Sequence, residues 1–378
     1  MPRPIEIACL VGTRPNFVKA AALVEEVRRR PGVSCRLVHS GQHYSPDMSG
    51  VFFEELELPR PDHHLGVGSA SHGRQTGQML ERLEPVLERE APDWVVVFGD
   101  ANSTLAGALA AAKARLPLVH IEAGLRSGDR SMPEEINRIV ADHCADLLFA
   151  PTQTGMEHLA REGLAQRAHL TGDIMYDSLL QHLPLAEERS GIMERLGLRP
   201  GGYALATVHR AANTDDLAAF ERILDALALL EEPVVFPMHP RARLALASSD
   251  LETALNIQVI EPVGYLEMLA LERSARTVLT DSGGVQKEAY LAGVPCLTLR
   301  SETEWVETVA AGWNRVIALE PGALHSALDD ASFMDRGRPR PNLFGDGQAA
   351  GRIVAALEGL QQRHRAPTGE PLAEVTHG

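Results

Sequence analysis

At 378 residues the chain is longer than one typical hydrophobic core, which makes two domains the expectation. Its 44% hydrophobic and 23% charged residues mark an ordinary globular chain and exclude a disordered or fibrous one. A net charge of -15 argues against nucleic acid or an anionic membrane as partner, so any phosphate recognition must come from a local basic pocket.

From residue 5 to about 170, short apolar runs alternate with longer periodic stretches, the pattern of βαβ units and a parallel sheet. Strands are expected at Ile5–Val11, Cys35–Val38, Trp94–Phe98, Leu118–Ile121 and Leu147–Phe149, with helices at Phe17–Arg30, Ser103–Ala114 and Glu134–Ala145. Ligands of such sheets bind beyond the carboxyl ends of the strands, so the residues after each strand are the candidates. In Gly12-Thr13-Arg14-Pro15-Asn16, Arg14 either suits a diphosphate or is the solvated arginine of a capped turn. In the polar loop Ser40-Gly41-Gln42-His43-Tyr44, His43 is either a ligand contact or a satisfied loop histidine. Asp100 follows the third strand and either works in the site or, like Ser103, caps the next helix. Glu122 ends the fourth strand. Glu134 and Glu135 open a helix, where acidic residues usually serve the dipole. Three carboxylates beside a diphosphate cradle would repel it, which points to acid/base chemistry with perturbed protonation rather than to binding alone.

A domain boundary is expected at Thr171-Gly172-Asp173, followed by a polar, less periodic stretch to about Pro200. A second α/β half then begins, with strands at Tyr203–Thr207, Val234–Pro237, Thr277–Leu279 and Pro295–Leu299. His209 and His239 each stand at a strand end with a basic neighbour, and one of residues 213–215 can cap the helix that runs on to Leu230. The stretch Thr280-Asp281-Ser282-Gly283-Gly284-Val285-Gln286-Lys287-Glu288 reads as a strand end, a tight turn and a helix start. Ser282, Gly283 and Gly284 there can hold a phosphate through free N–H groups and the helix dipole, and Glu288 can accept from a ribose diol; the alternative is an ordinary helix cap. Two strand-end histidines beside this stretch favour a substrate-binding cluster. A turn at 342–347 precedes a last helix at 349–361, and the polar tail 366–378 is expected to fray. Cys9, Cys35, Cys144 and Cys296 form no Cys-x-x-Cys pair and read as buried free thiols. With no signal-type run and no stretch of about 18 apolar residues, a soluble cytoplasmic protein is expected.

Taken together in order and spacing, Gly12-Thr13-Arg14-Pro15, Gly41-Gln42-His43, Gly99-Asp100, His120-Ile121-Glu122-Ala123-Gly124-Leu125-Arg126, Pro133-Glu134-Glu135-Ile136-Asn137-Arg138, His209-Arg210, His239-Pro240-Arg241, Asp281-Ser282-Gly283-Gly284 and Gly345-Asp346-Gly347 form one pattern. It resembles the non-hydrolysing UDP-N-acetylglucosamine 2-epimerases, over residues 5 to about 362. The resemblance implies two Rossmann-like domains facing each other across a cleft (GT-B), residues 1–172 on the sugar side and 173–362 on the UDP side, with the last helix crossing back onto the first domain. It implies removal of the proton at sugar carbon 2 with loss of UDP, a bound 2-acetamidoglucal, and return of UDP with protonation on the opposite face. Neither a cofactor nor a metal is implied, and a homodimer is. By this resemblance Asp100, Glu122, Glu134 and His209 are catalytic, and Arg14, Lys19, Arg138, His239, Ser282, Gly283, Gly284 and Glu288 bind substrate. Gln42, His43 and Arg74 correspond to part of an activator site. Two departures stand out: Asn16 where many members have Glu, and Ala212 where a Glu is common. A hydrolysing epimerase that releases UDP and free N-acetylmannosamine, or a glycosyltransferase on the same fold, is the alternative.

Overall fold

Runs of buried apolar residues build two parallel sheets, each covered by helices, which is why the central strands carry no polar face. The computed structural model describes residues 3–42, 50–249, 251, 253–317 and 322–365; His43 and the tail from 366 lie outside them. The first sheet contains β1 (Ile5–Val11), β2 (Val33–His39), β3 (His63–His64), β4 (Trp94–Phe98), β5 (Leu118–Ile121), β6 (Leu147–Ala150) and β7 (Ala168–Leu170), in the order β3-β2-β1-β4-β5-β6-β7. The second contains β8 (Ala204–Thr207), β9 (Val234–Pro237), β10 (Ile257–Ile260), β11 (Thr277–Thr280), β12 (Cys296–Thr298) and β13 (Asn314–Val316), in the order β10-β9-β8-β11-β12-β13. The strand order therefore reverses between β1 and β4 in one sheet and between β8 and β11 in the other. Those are the places where a doubly wound sheet opens a crevice for a ligand. The α/β class and the GT-B arrangement are as expected from the sequence.

Three local expectations are corrected. The stretch after Asp173 is not irregular: Ile174–Arg189 is a helix that carries Pro184 within it, packed between the Arg14–Arg28 helix and the Tyr265–Ser274 helix. Its buried positions, among them Ile174, Met175, Ser178, Leu179, His182 and Ala186, include polar residues, so no clean apolar stripe marks it. In the second half, Asp216 rather than residues 213–215 caps the Leu217–Ala228 helix, accepting from the N–H groups of Ala218 and Ala219. Of the four free thiols, Cys9 and Cys296 are buried while Cys35 and Cys144 are only partly so.

The last helix, Ala349–Arg365, lies on the Arg14–Arg28 helix of the first half. Its N-terminus is closed by Asp177, which accepts from Ala349 N–H at 3.1 Å and Ala350 N–H at 2.8 Å. Ile353, Val354 and Leu357 share a core with Phe17 and Leu23 of the first half and with Tyr265 and Leu269 of the second. Each such side chain contributes about 1.5–3 kcal/mol by leaving water, so this helix ties the halves together. Among the described residues, no helix is long and apolar enough to cross a membrane.

Candidate active site

At the first switch point the chain is held by an amide. Asn16 is buried, and its Oδ1 accepts from Gly12 N–H (3.3 Å), Thr13 N–H (3.3 Å), Thr13 Oγ1 (3.0 Å) and Ser103 Oγ (3.3 Å). Its Nδ2 donates to the Phe98 carbonyl at 3.0 Å, which joins the end of β1 to the end of β4. A carboxylate in this place could accept but not donate, so the amide suits both sides of the contact. Arg14, in the first turn that Asn16 secures, stacks its guanidinium 4.8 Å from the Phe52 ring centroid, and burial lowers its pKa.

Beyond β4 and β5 the carboxylates gather. Gly99 adopts φ 61°, and a Cβ there would come within 2.8 Å of Lys19 Nζ and 3.0 Å of Glu122 Oε1, so only glycine fits. Asp100 follows, its side chain 39% exposed and its Oδ2 2.6 Å from Arg138 Nη1. Burial pushes its pKa up; Arg138 and Lys19 pull against that shift, and Glu122 and Glu134 add to it. Glu122 is in the left-handed region at φ 71°, because its own N–H and that of Ala123 both bond to the Phe149 carbonyl. A non-glycine residue held there costs about 1–2 kcal/mol, a strain typical of functional positions. The side chain that results is buried, with Oε1 2.5 Å from Lys19 Nζ and Oε2 2.8 Å from Lys287 Nζ. Burial alone would raise its pKa, but the two ammonium groups hold it down to about 2.

The two acidic residues that open the Pro133–Cys144 helix do different things. Glu135 is buried and accepts from Ser127 N–H, Gly128 N–H and Arg138, so it fixes the loop and the arginine. Glu134 is half-buried and lies within electrostatic reach of Asp100. Arg138 is itself buried, set between Glu135 and Asp100, and Lys19 is buried against Glu122. Behind them His120 bridges Asp142 Oδ1 (2.7 Å) and the Gly99 carbonyl (2.8 Å), with Asp142 also held by Arg126.

The second switch point is organised by Asp281, which is fully buried. It accepts from His209 N–H (3.0 Å), Arg210 N–H (2.9 Å) and Asn213 Nδ2 (3.0 Å), and it lies 2.8 Å from His209 Nδ1. Burial would raise its pKa, yet the hydrogen bonds and the histidine lower it. The His209 ring stands 5.7 Å from that of His239. Burial, with help from His209, Arg14 and Arg241, lowers the His239 pKa to about 4, so this ring is neutral at pH 7. The influence of Arg14 on His239 means that the two switch points face each other.

Ser282 caps the Gly283–Ala292 helix, its Oγ accepting from Val285 N–H at 3.4 Å. Neither Gly283 nor Gly284 has a positive φ, so they serve close approach rather than an unusual backbone. A Cβ on Gly283 would collide with the carboxylate of Glu304, which is paired with Arg300 at 2.8 Å. Glu288 is buried beside Tyr265, Asp173 and Glu272. Burial raises its pKa to about 7, with Lys287 pulling down and Asp173 pushing up. Gln42 accepts from Ser103 N–H at 3.4 Å, and Arg74 stands exposed in the first turn of the His72–Glu90 helix. Three residues that the sequence reading gave no role enter the site here: Asp281 as the hub of the 209–213 loop, Glu304 at the helix N-terminus, and Lys287 on Glu122. Only Asp281 carried a signal, its position at the end of an apolar strand.

The arrangement offers positive groups and a helix N-terminus from one half, facing carboxyl groups with separated protonation tendencies from the other, which suits cleavage of a bond to a diphosphate coupled to proton transfer. Comparison with known proteins places the chain in a family. The family model described as UDP-N-acetylglucosamine 2-epimerase matches residues 25–358. A UDP-N-acetylglucosamine 2-epimerase homolog of Methanococcus maripaludis is 46% identical, covering 94% of this chain and 100% of its own. The UDP-2,3-diacetamido-2,3-dideoxy-D-glucuronate 2-epimerase of Pseudomonas aeruginosa is 42% identical over 94% of this chain and 100% of its own. The Methanocaldococcus jannaschii UDP-GlcNAc 2-epimerase, solved in complex with UDP-GlcNAc and UDP, is 40% identical, covers 94% of this chain and 100% of its own, and superposes with a TM-score of 0.88. The chain belongs to the UDP-N-acetylglucosamine 2-epimerase family.

Proposed function

We propose that the protein interconverts UDP-N-acetylglucosamine and UDP-N-acetylmannosamine without hydrolysis, by elimination and re-addition of UDP through a bound 2-acetamidoglucal. The observation that carries this reading is the gathering of Asp100, Glu122 and Glu134 opposite the Ser282 helix start and the His209–Arg210 loop. In this mechanism Arg14, His209 and the N–H groups of Ser282, Gly283 and Gly284 take up the negative charge that grows on the departing diphosphate. The proton on carbon 2 leaves to a carboxylate as that bond breaks, and a carboxyl on the other face returns a proton when UDP re-adds. Glu288 accepts from the ribose diol, and the sugar side is residues 1–172, the UDP side 173–362. The test is product analysis after incubation with UDP-N-acetylglucosamine alone and, in parallel, with a UDP-linked 2,3-diacetamido uronic acid. The expected product is the 2-epimeric UDP-sugar, with no free sugar; free N-acetylmannosamine accumulating in step with UDP would instead make the protein a hydrolysing epimerase.

The Glu288 role has a pH signature. A ribose diol donates to a carboxylate, and Glu288 gains its proton as pH falls through about 7. UDP affinity is therefore expected to be full above pH 8 and to fall by up to about tenfold per pH unit below 7, the limit for one required deprotonation. Calorimetry of UDP binding from pH 5.5 to 8.5 checks this, and Glu288→Gln should bind more weakly at high pH and lose this part of the pH dependence. A wild-type profile that is flat across pH 7 would remove Glu288 from the ribose.

A further inference from the structure

The helix that begins at Ser282 carries, one residue before Glu288, a lysine whose role is not explained by nucleotide binding. Lys287 is 0% exposed, and its ammonium is held from three sides. Glu122 Oε2 lies 2.8 Å away, Asp173 Oδ2 2.5 Å away, and the Trp305 ring centroid 4.5 Å away. These partners come from different parts of the fold. Glu122 ends β5 of the first sheet, Asp173 caps the helix that follows the crossover from the first half, and Trp305 follows β12 of the second sheet. The other oxygen of Asp173 is used by Met175 N–H at 2.8 Å, and the other oxygen of Glu122 by Lys19. Each carboxylate is thus gripped at both oxygens.

We propose that Lys287 is a positioning residue for the epimerisation proposed above: from the UDP-side half it reaches across to fix Glu122 as an oriented anion, so the carboxylate set is complete only when the two halves meet at this lysine. The inference rests on the 2-epimerase reading and deepens it. A buried ammonium is costly unless paired; Asp173 pairs with it from within residues 173–362, and Glu122 adds its share only while the second half is seated against the first. Without Lys287, Glu122 would keep Lys19 alone, one oxygen would be free to turn, and the strained backbone at φ 71° would aim a looser side chain. The charged and titratable groups around this cluster are Lys19 of the Arg14–Arg28 helix and Asp100 after β4 beside Glu122, and Asp173 at the crossover and Glu288 of the Gly283–Ala292 helix beside Lys287.

The test compares Lys287→Met, Asp173→Asn and the double variant with wild type, on protein verified as folded by its thermal transition and by UDP binding. Wild-type epimerisation is measured first, because its absence would refute the functional reading and not this inference. With wild type active, Lys287→Met is expected to lose about 10- to 100-fold in kcat with KM little changed, the cost typical of a misaimed catalytic group. The ratio of variant to wild-type kcat at saturating UDP-sugar should fall further between pH 8 and pH 5, since Glu122 with one counter-ion gains a proton at higher pH; Glu288, whose pKa Lys287 also lowers, is followed separately through KM and UDP affinity. The loss should persist in the double variant. If Asp173→Asn restores turnover to Lys287→Met, or if the ratio is independent of pH, Lys287 merely neutralises the crossover aspartate and the proposal is overturned.

Discussion

Asp100→Asn is expected to lower kcat by about 10²- to 10⁴-fold while leaving UDP affinity near that of wild type. The reason lies in how differently the carboxyls are set. Glu122 is locked between two ammonium groups with its pKa held to about 2, so it neither takes nor gives a proton readily near pH 7. Asp100 has one cationic contact, to Arg138, opens to the cleft over 39% of its side chain, and has its pKa raised by burial and by Glu122 and Glu134. Of these two, Asp100 is the one better able to hold a proton and release it. The amide of asparagine keeps the shape and still accepts from Arg138, but it cannot carry the proton. Steady-state kinetics beside UDP calorimetry separates the outcomes: unchanged turnover would remove Asp100 from proton transfer, and a parallel loss of UDP binding would make it structural.

Asp281→Ala is expected to have the largest effect on the UDP side, through shape rather than chemistry. The carboxylate receives the N–H groups of His209 and Arg210, the Asn213 amide and the His209 ring, and it is fully buried. Removing it leaves those donors without their acceptor in a dry place, a change that typically costs about 3–5 kcal/mol when a buried charge partner is lost. The 209–213 loop would no longer present His209, so UDP affinity should fall by about 100-fold or more, the cost of misplacing a binding group by about an ångström. Urea unfolding and UDP calorimetry measure the two effects. Asp281→Asn, which retains an acceptor oxygen but no charge, should fall between; a wild-type stability for the alanine variant would contradict the role assigned to the hub.

The sequence announces the centre of each sheet and is silent about its edges. β1, β4 and β5 coincide with the apolar runs because central strands are buried on both faces. The four strands with no such run, β3, β7, β10 and β13, are the four sheet edges, where exposed or half-buried residues such as His64, Leu170, Gln258 and Arg315 interrupt the apolar signal. The same logic divides the site. Asp100, Glu122, His209 and Ser282 were legible because each follows an apolar strand, where a ligand crevice opens. Lys287 was not, because its meaning depends on Glu122, 165 residues earlier and in the other half, and a lysine in a helix otherwise reads as a solvated one. Lys19 and Arg138, expected at the substrate, also pair with carboxylates, Lys19 with Glu122 and Arg138 with Asp100 and Glu135. No local pattern distinguishes a cation aimed at substrate from one that orients a carboxylate.

Carbon 2 of the sugar is expected to exchange its proton while UDP is held in the closed cleft, so that UDP returns to the sugar rather than water taking its place. Proton and carbon NMR of UDP-N-acetylglucosamine with the protein in deuterated buffer, without any acceptor, tests this most directly. The expected result is UDP-N-acetylglucosamine and UDP-N-acetylmannosamine approaching equilibrium, each with one solvent deuteron at carbon 2 and with no free sugar accumulating. Carbon 2 that keeps its proton in the absence of an acceptor would contradict it.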